Sequence, residues 1–322
     1  FWFVLEQFGA SPIAHKSYLF DREHSLEKYN ASDLFLPYAT SLRMSDVGYQ
    51  SNIQDSLKIS YNNLDEFINT LVKGIKTPVK KFNDIGMFDD AGIAQQISTG
   101  ILQIENELYD IVRPKRSGPS GSRPARLLKT GGIEYLELRG IDVNPFIPEG
   151  IDVNKIKLLD IFITHSLISE SPLISDEEIK EIKANQKIMV SEGRMKNVML
   201  SKNGDLISLA EIRKNFLAEL EQTAEALDEY SKGYLKAFHL EINKNMLLSE
   251  KILSEMDAKS FEFQDYALNQ SKKIAENYKS YDTSDFYTLA SSVQTSIENL
   301  RNLEESSSMD INKYVELYNS KI

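Results

Sequence analysis

The stretch ILQIENELYDIVRPKR (101–116) most constrains what this chain can fold into, because its first nine residues alternate between apolar and polar side chains. A period of two is that of an extended strand, which turns successive side chains to opposite faces. Leu102, Ile104 and Leu108 then share one face, and Gln103, Glu105, Glu107 and Tyr109 the other. GGIEYLELRGIDVNPF (131–146) repeats the pattern, with Leu136 and Leu138 opposite Tyr135, Glu137 and Arg139. Two readings follow from the alternation. One is an ordinary sheet with a wet outer face. In the other the polar faces line a cup, where carboxylates hold a hard cation such as Mg²⁺ and arginines neutralise phosphate.

The rest of the chain supplies enough apolar material for one large domain or two: 322 residues, 41% of them hydrophobic. With 37 Lys and Arg against 48 Asp and Glu the net charge is −11, which disfavours a nucleic-acid partner. There is no cysteine, so disulfides, thiolate metal sites and a cysteine nucleophile are excluded, and a cytoplasmic location is expected. No apolar run approaches the roughly 20 residues of a membrane-crossing helix. The first residues, FWFVLEQFGASP, read as the interior of a structure, a buried helix broken at Gly9 and Pro12. The chain is therefore expected to be a fragment.

Spacing predicts a helix over 63–75, capped by Asn62 or Asn63 and stopped by Thr77-Pro78. The loop SGPSGSRPAR (117–126) reads as a mobile connection, with a phosphate-contacting lid as the sharper alternative. After Pro148 the character changes to helices over 155–168 and 175–194, the second capped by Ser175. From Leu209 onward a bundle of four or five helices is expected, with breaks near 231–233, 258–260, 281–284 and 306–310. The division expected is 1–150, carrying the sheet and substrate loops, and 151–322, mainly helical. His15, His24, His165 and His239 have no ligand spacing, and His165 reads as a core residue.

FGASP (8–12), LPYATSLRMSDVGY (36–49), LQIENELYDIVRPKR (102–116) and GGIEYLELRGIDVNPFIPEGID (131–152) together resemble the glutamate–cysteine ligase family of the bacterial type. The blocks stand in the family's order, and the similarity continues through LLDIFITHSLI and the EGR of 192–194. The chain resembles about the C-terminal three fifths of the family's enzyme. The resemblance implies an α+β fold, part of a curved antiparallel sheet like that of glutamine synthetase, followed by the helical bundle. It also implies an ATP-dependent ligase that joins the γ-carboxylate of glutamate to cysteine through an acyl phosphate, with Mg²⁺, or Mn²⁺ in its place.

Carried over on those motifs, Glu137 is the metal-binding glutamate, and Arg139 reaches the transferred phosphoryl group. Arg43 holds the substrate glutamate, for which a guanidinium fork is apt, and Tyr49 and Tyr109 form the cysteine pocket. Glu105 and Glu107 are secondary candidates near the metal or substrates, or else partners of Arg113 or Lys115 in a fold-stabilising salt bridge. Arg113, Lys115 and Arg116 are candidate nucleotide contacts or a solvated basic turn. The acidic metal ligands that the family draws from its N-terminal part have no replacement here; Asp89, Asp90 and 176–178 lie in unsuitable contexts. Glu137 alone would hold Mg²⁺ weakly, so low activity is expected without the N-terminal segment, a needed partner. The alternative is a non-catalytic scaffold that docks partners on the acidic bundle of 209–322.

Overall fold

The computed structural model describes residues 1–19, 23–279, 287–306 and 309–322. In chain order its elements are α1 (Trp2–Phe8), β1 (Ile13–His15), β2 (Glu27–Lys28), β3 (Asp33–Phe35), α2 (Leu64–Lys76), α3 (Lys80–Ile85), β4 (Val112–Lys115), α4 (Pro124–Gly131) and β5 (Tyr135–Leu138). Then come α5 (Val153–Ile168), α6 (Asp176–Glu192), β6 (Met199–Lys202), β7 (Asp205–Ser208), α7 (Leu209–Asp228), α8 (Tyr234–Ile242) and α9 (Leu248–Lys259). The last are α10 (Phe263–Lys279), α11 (Tyr287–Ser306) and α12 (Ile311–Asn319). The fold is α+β, as expected, and its sheets are small. β1, β3 and β2 form an antiparallel sheet in that order, β4 pairs with β5, and β6 and β7 form an antiparallel hairpin.

The chain divides into two units. The first comprises Phe1–Asn62, Tyr109–Arg113 and Glu137–Ser271. Its core is built where the apolar α1 meets the inward faces of four other helices: Phe3, Val4, Leu5 and Phe8 lie with Leu158, Ile161, Met189, Leu220 and Phe238. Phe3 stacks on Phe162 and meets Phe216 edge-on, so aromatic contacts add to the buried area. Gly9 ends α1 where a side chain would collide with the carbonyls of Leu5 and Thr40. Lys155 on α5 is buried against that end, donating to the Gln7 carbonyl at 2.7 Å and pairing with Glu241 at 3.2 Å. Burial pushes its ammonium below the usual lysine range, and the Glu241 carboxylate opposes that shift.

The second unit comprises Asn63–Leu108, Pro114–Leu136 and Lys272–Ile322. Asn63 caps α2 by accepting the Glu66 N–H at 2.8 Å. Phe67, Ile68, Leu71 and Ile75 of α2 are buried, as are Leu102, Leu108 and the α4 residues Ala125 and Leu128. The expected caps and breaks elsewhere are also present: Ser175 receives the Glu178 N–H, and left-handed Gly233 and Ser260 separate α7, α8, α9 and α10. The break expected near 281–284 lies outside the described residues, and so does part of the one near 306–310. From Leu209 there are six described helices rather than four or five, because a further break at 243–247 separates α8 from α9.

The strand expected over 101–109 is absent. Residues 101–104 are irregular and Glu105–Glu107 is one turn of 3-10 helix. The amides of Ile101 and Leu102 are already taken, donating to the carbonyls of Thr77 and Gly74 at the end of α2. The Glu107 carboxylate accepts the Gln103 N–H at 2.7 Å and so folds the backbone back on itself. Face parity therefore does not apply to Glu105, Glu107 and Tyr109. The second strand is real but only four residues long, and its Leu136 is 52% exposed, so Leu136 is not part of an apolar core face. The hairpin over 199–208 was not among the expected strands; its Asn203-Gly204 turn has both residues at positive φ, as a two-residue hairpin loop requires.

Removing buried side-chain volume from the first core should be costly. Leu220→Ala is expected to lower the free energy of unfolding by about 2–5 kcal/mol, read as a lower urea midpoint.

Candidate active site

The candidate residues of the first unit converge because three short segments are tied together. The turn after α1 contributes Ala10 and Ser11, and the 3-10 turn Leu42–Met44 carries Arg43. The chain leaving β5 carries Arg139 and Asp142. Gly140 lets that last segment pass, since a side chain there would press on Ile111 and Val4. The Arg139 N–H donates to the Ile111 carbonyl at 2.6 Å, and the Asp142 N–H to the Phe8 carbonyl at 3.1 Å.

Arg43 is held at three points. Its Nε meets Asp142 Oδ1 at 2.5 Å, and its Nη2 donates to the carbonyls of Arg139 at 2.5 Å and Ile141 at 3.0 Å. Among the described residues its Nη1 has no hydrogen-bond partner, and the side chain is 37% exposed. The Tyr49 N–H donates to the Arg43 carbonyl, and Gly48 before it lies so near that carbonyl that a side chain would collide. Tyr49 and Tyr109 meet edge-on with ring centroids 4.3 Å apart, and the Arg139 guanidinium lies 5.2 Å from the Tyr49 ring centre.

Glu137 lies between two arginines. Arg113, buried beneath it, reaches Oε2 through Nη2 at 2.9 Å and Nε at 3.2 Å. Arg139 reaches Oε2 through Nε at 3.1 Å and Oε1 through Nη2 at 3.3 Å. The buried Nη1 of Arg139 has no hydrogen-bond partner among the described residues. Burial lowers the pKa of this guanidinium, a desolvation that an anionic ligand would offset. Three guanidinium groups, Arg43, Arg113 and Arg139, thus face two carboxylates, Glu137 and Asp142. Guanidinium groups are apt partners for a carboxylate or phosphate.

Arg113 belongs to this group as a buried partner of Glu137 rather than as an exposed contact. The other secondary candidates lie in the second unit. Glu105 is buried and pairs with Arg123 at 3.2 Å, and Arg123 also covers the Tyr318 ring at 4.3 Å. Beside the salt bridge to Arg113 or Lys115 expected for it, Glu105 has a buried partner in Arg123, the residue that precedes α4. Glu107 accepts the Gln103 amide, Lys115 Nζ lies 3.5 Å from Asn106 Oδ1, and Arg116 donates to the Gly131 carbonyl at 2.6 Å.

No three His, Cys, Asp or Glu side chains gather as a metal-ligand set among the described residues. Mg²⁺ takes about six oxygen ligands. Glu137 offers one carboxylate, ion-paired to two guanidinium groups, so the residues of this chain do not by themselves fit the ion. His165 lies 3.4 Å from Glu219 and packs on Phe216, half-buried at 14% exposure rather than within the core as expected.

Asp142 and Ser11 were not singled out from the sequence. The available signal was an acid between the apolar Ile141 and Val143, a costly placement in a buried segment unless the charge is paired. Asp110 was also missed. Its Oδ2 accepts the Tyr61 hydroxyl at 2.7 Å and its Oδ1 the Ile111 N–H at 2.7 Å.

Fold and site together define an α+β protein with an arginine cluster beside a tyrosine pair. Residues 1–189 match the glutamate–cysteine ligase family. The chain is 36% identical to the glutamate–cysteine ligase of Pseudomonas putida, with 100% of this chain and 62% of that one covered. It is 37% identical to that of Alcanivorax borkumensis, over 87% of this chain and 55% of that one. The crystal structure of glutamate–cysteine ligase from Francisella tularensis in complex with AMP superposes with a TM-score of 0.87 at 28% identity, across 98% of this chain and 64% of that one. The chain belongs to the glutamate–cysteine ligase family. It spans 62% of the length of the Pseudomonas putida relative.

Burial raises the Asp110 carboxyl above the usual range, while the bonds from Tyr61 and Ile111 oppose the shift. The folded state therefore keeps this proton to higher pH than the unfolded chain, so Asp110 makes stability fall as pH rises from about 3.8 to the raised value. Asp110→Asn removes that contribution. Urea unfolding at several pH values should show the variant gaining on the parent as pH rises through that window; parallel curves would contradict the assignment.

Proposed function

We propose that this chain contributes the arginine-rich part of the active site of an ATP-dependent ligase that joins the γ-carboxylate of glutamate to the amine of cysteine. The reading is supported above all by the gathering of Arg43, Arg139, Glu137, Tyr49 and Tyr109 within one unit of the chain. Family membership supports the substrates, and the AMP held by the Francisella tularensis relative supports a nucleotide.

In the proposed reaction a γ-carboxylate oxygen of glutamate attacks the terminal phosphorus of ATP. The bond to the β-phosphate oxygen breaks and ADP leaves with that electron pair. The cysteine amine then attacks the acyl carbon, the bond to the phosphoryl oxygen breaks, phosphate departs and the amine loses a proton. Arg43 would hold the substrate carboxylate through Nη1. The unpartnered Nη1 of Arg139 would meet the phosphoryl oxygens, where charge stabilisation accounts for most of the rate gain in such transfers. Tyr49 and Tyr109 would wall the cysteine side. Mg²⁺ or Mn²⁺ is proposed only as the companion of the triphosphate. Glu137, 34% exposed, is more accessible than Asp142, at 4%, and would be the carboxylate offered to that ion. The proposed compartment is the cytoplasm, where free cysteine stays a thiol.

ADP release dependent on both glutamate and cysteine tests this. Arg139→Ala is expected to lower kcat by about 10²–10³-fold, the usual loss for one donor to developing charge. Glu137→Gln should raise the Mg²⁺ concentration needed for half-maximal rate. Unchanged rate in the first variant and unchanged Mg²⁺ dependence in the second would remove both residues from the chemistry.

A further inference from the structure

We propose that Asp142 is a positioning residue that fixes the Arg43 guanidinium so that Nη1 alone is presented to the acidic substrate. This rests on the reading of Arg43 as the group that holds glutamate.

The two oxygens of Asp142 have separate tasks. Oδ1 takes Arg43 Nε at 2.5 Å, while Oδ2 accepts the Ala10 N–H at 2.7 Å and the Ser11 hydroxyl at 2.8 Å. The Asp142 side chain is 4% exposed, so its charge is sustained by these partners rather than by water. Ser11 closes a second loop around Arg43: its hydroxyl oxygen accepts the Arg43 backbone N–H at 3.1 Å and lies 3.1 Å from the Ser41 hydroxyl. Arg43 is thus gripped at its backbone by Ser11 and at Nε by Asp142, and Ser11 and Asp142 bond to each other.

The consequence is directional. Nε carries one N–H and Nη2 two; Asp142 and the carbonyls of Arg139 and Ile141 use all three. The two N–H groups of Nη1 remain. A substrate carboxylate therefore meets one nitrogen of fixed direction, not a free fork. Without the Asp142 charge Nε loses its ion pair, and the guanidinium, held chiefly by its carbonyl bonds on Nη2, can rotate about them. Substrate would then have to order it, and that cost appears in glutamate binding before it appears in turnover.

The test uses steady-state kinetics on the ligase with glutamate, cysteine and ATP varied in turn. Asp142→Asn keeps size and removes charge, and it is expected to raise the glutamate KM about tenfold, with the ATP KM within about twofold of the parent. Arg43→Ala should raise the glutamate KM at least as far. The double variant should add nothing to Arg43→Ala, because Asp142 acts only through Arg43. A purely structural role for Asp142 would instead give additive losses and shift the KM for all substrates. Ser11→Ala removes one bond to Oδ2 and the acceptor of the Arg43 N–H but leaves the ion pair, so it serves if Asp142→Asn does not fold; about a threefold rise confined to glutamate is expected. A glutamate KM unchanged in the Asp142 or Ser11 variant while Arg43→Ala raises it would overturn the proposal alone. No effect of Arg43→Ala on the glutamate KM would overturn it together with the reading of Arg43.

Discussion

The arginine cluster depends on the buried carboxylate of Asp142. Two segments far from it in sequence, 8–11 and 41–43, converge on it, each bringing donors that need an acceptor away from water. A buried carboxylate costs several kcal/mol unless it is paired and hydrogen-bonded. Here one oxygen is matched by a guanidinium and the other by an amide and a hydroxyl. Removing any one strand of this knot leaves the remaining groups desolvated, so the arrangement is cooperative.

The same knot couples the two arginines to which different substrates are assigned. Arg43 donates to the carbonyl of Arg139, so the backbone that carries one guanidinium also orients the other. Arg113 and Arg139 share Glu137 on the far side, which limits mutual repulsion among three cations at close range. The outcome is a site with two nitrogens, Nη1 of Arg43 and Nη1 of Arg139, without protein acceptors among the described residues. Electrostatic preorganisation of this kind stabilises charge without reorganisation during reaction.

The alternation in ILQIENELYDIVRPKR belongs to a different structure from the one it suggests. Glu105 faces inward to Arg123 and Tyr318, and Glu107 caps a local turn, so neither carboxylate shares a strand face with Tyr109. Period-two patterning identifies a strand only where backbone donors remain free for a partner strand, and here the end of α2 had already claimed them. In β5 the pattern served better: Glu137 and Arg139 do lie together, bonded through both carboxylate oxygens. Asp142, three residues beyond Arg139, would fall on the opposite face of a continuous strand. The strand ends at Leu138, and Gly140 lets the following segment run close against Ile111 and Val4.

Sequence by itself determined the elements whose causes are local. The caps at Asn63 and Ser175, the halt at Gly9 and the breaks at Gly233 and Ser260 follow from hydrogen bonding and steric freedom within a few residues. The family motifs identified Arg43, Tyr49, Tyr109, Glu137 and Arg139, although motif order carries no distances. Tertiary structure alone decided which charges pair: Arg43 with Asp142, Glu137 with both Arg113 and Arg139, and Glu105 with Arg123. The partners lie between 2 and 99 residues apart, and their pairing is set by how apolar helices pack and which buried donors then lack water, a condition of the whole fold rather than of any stretch of chain.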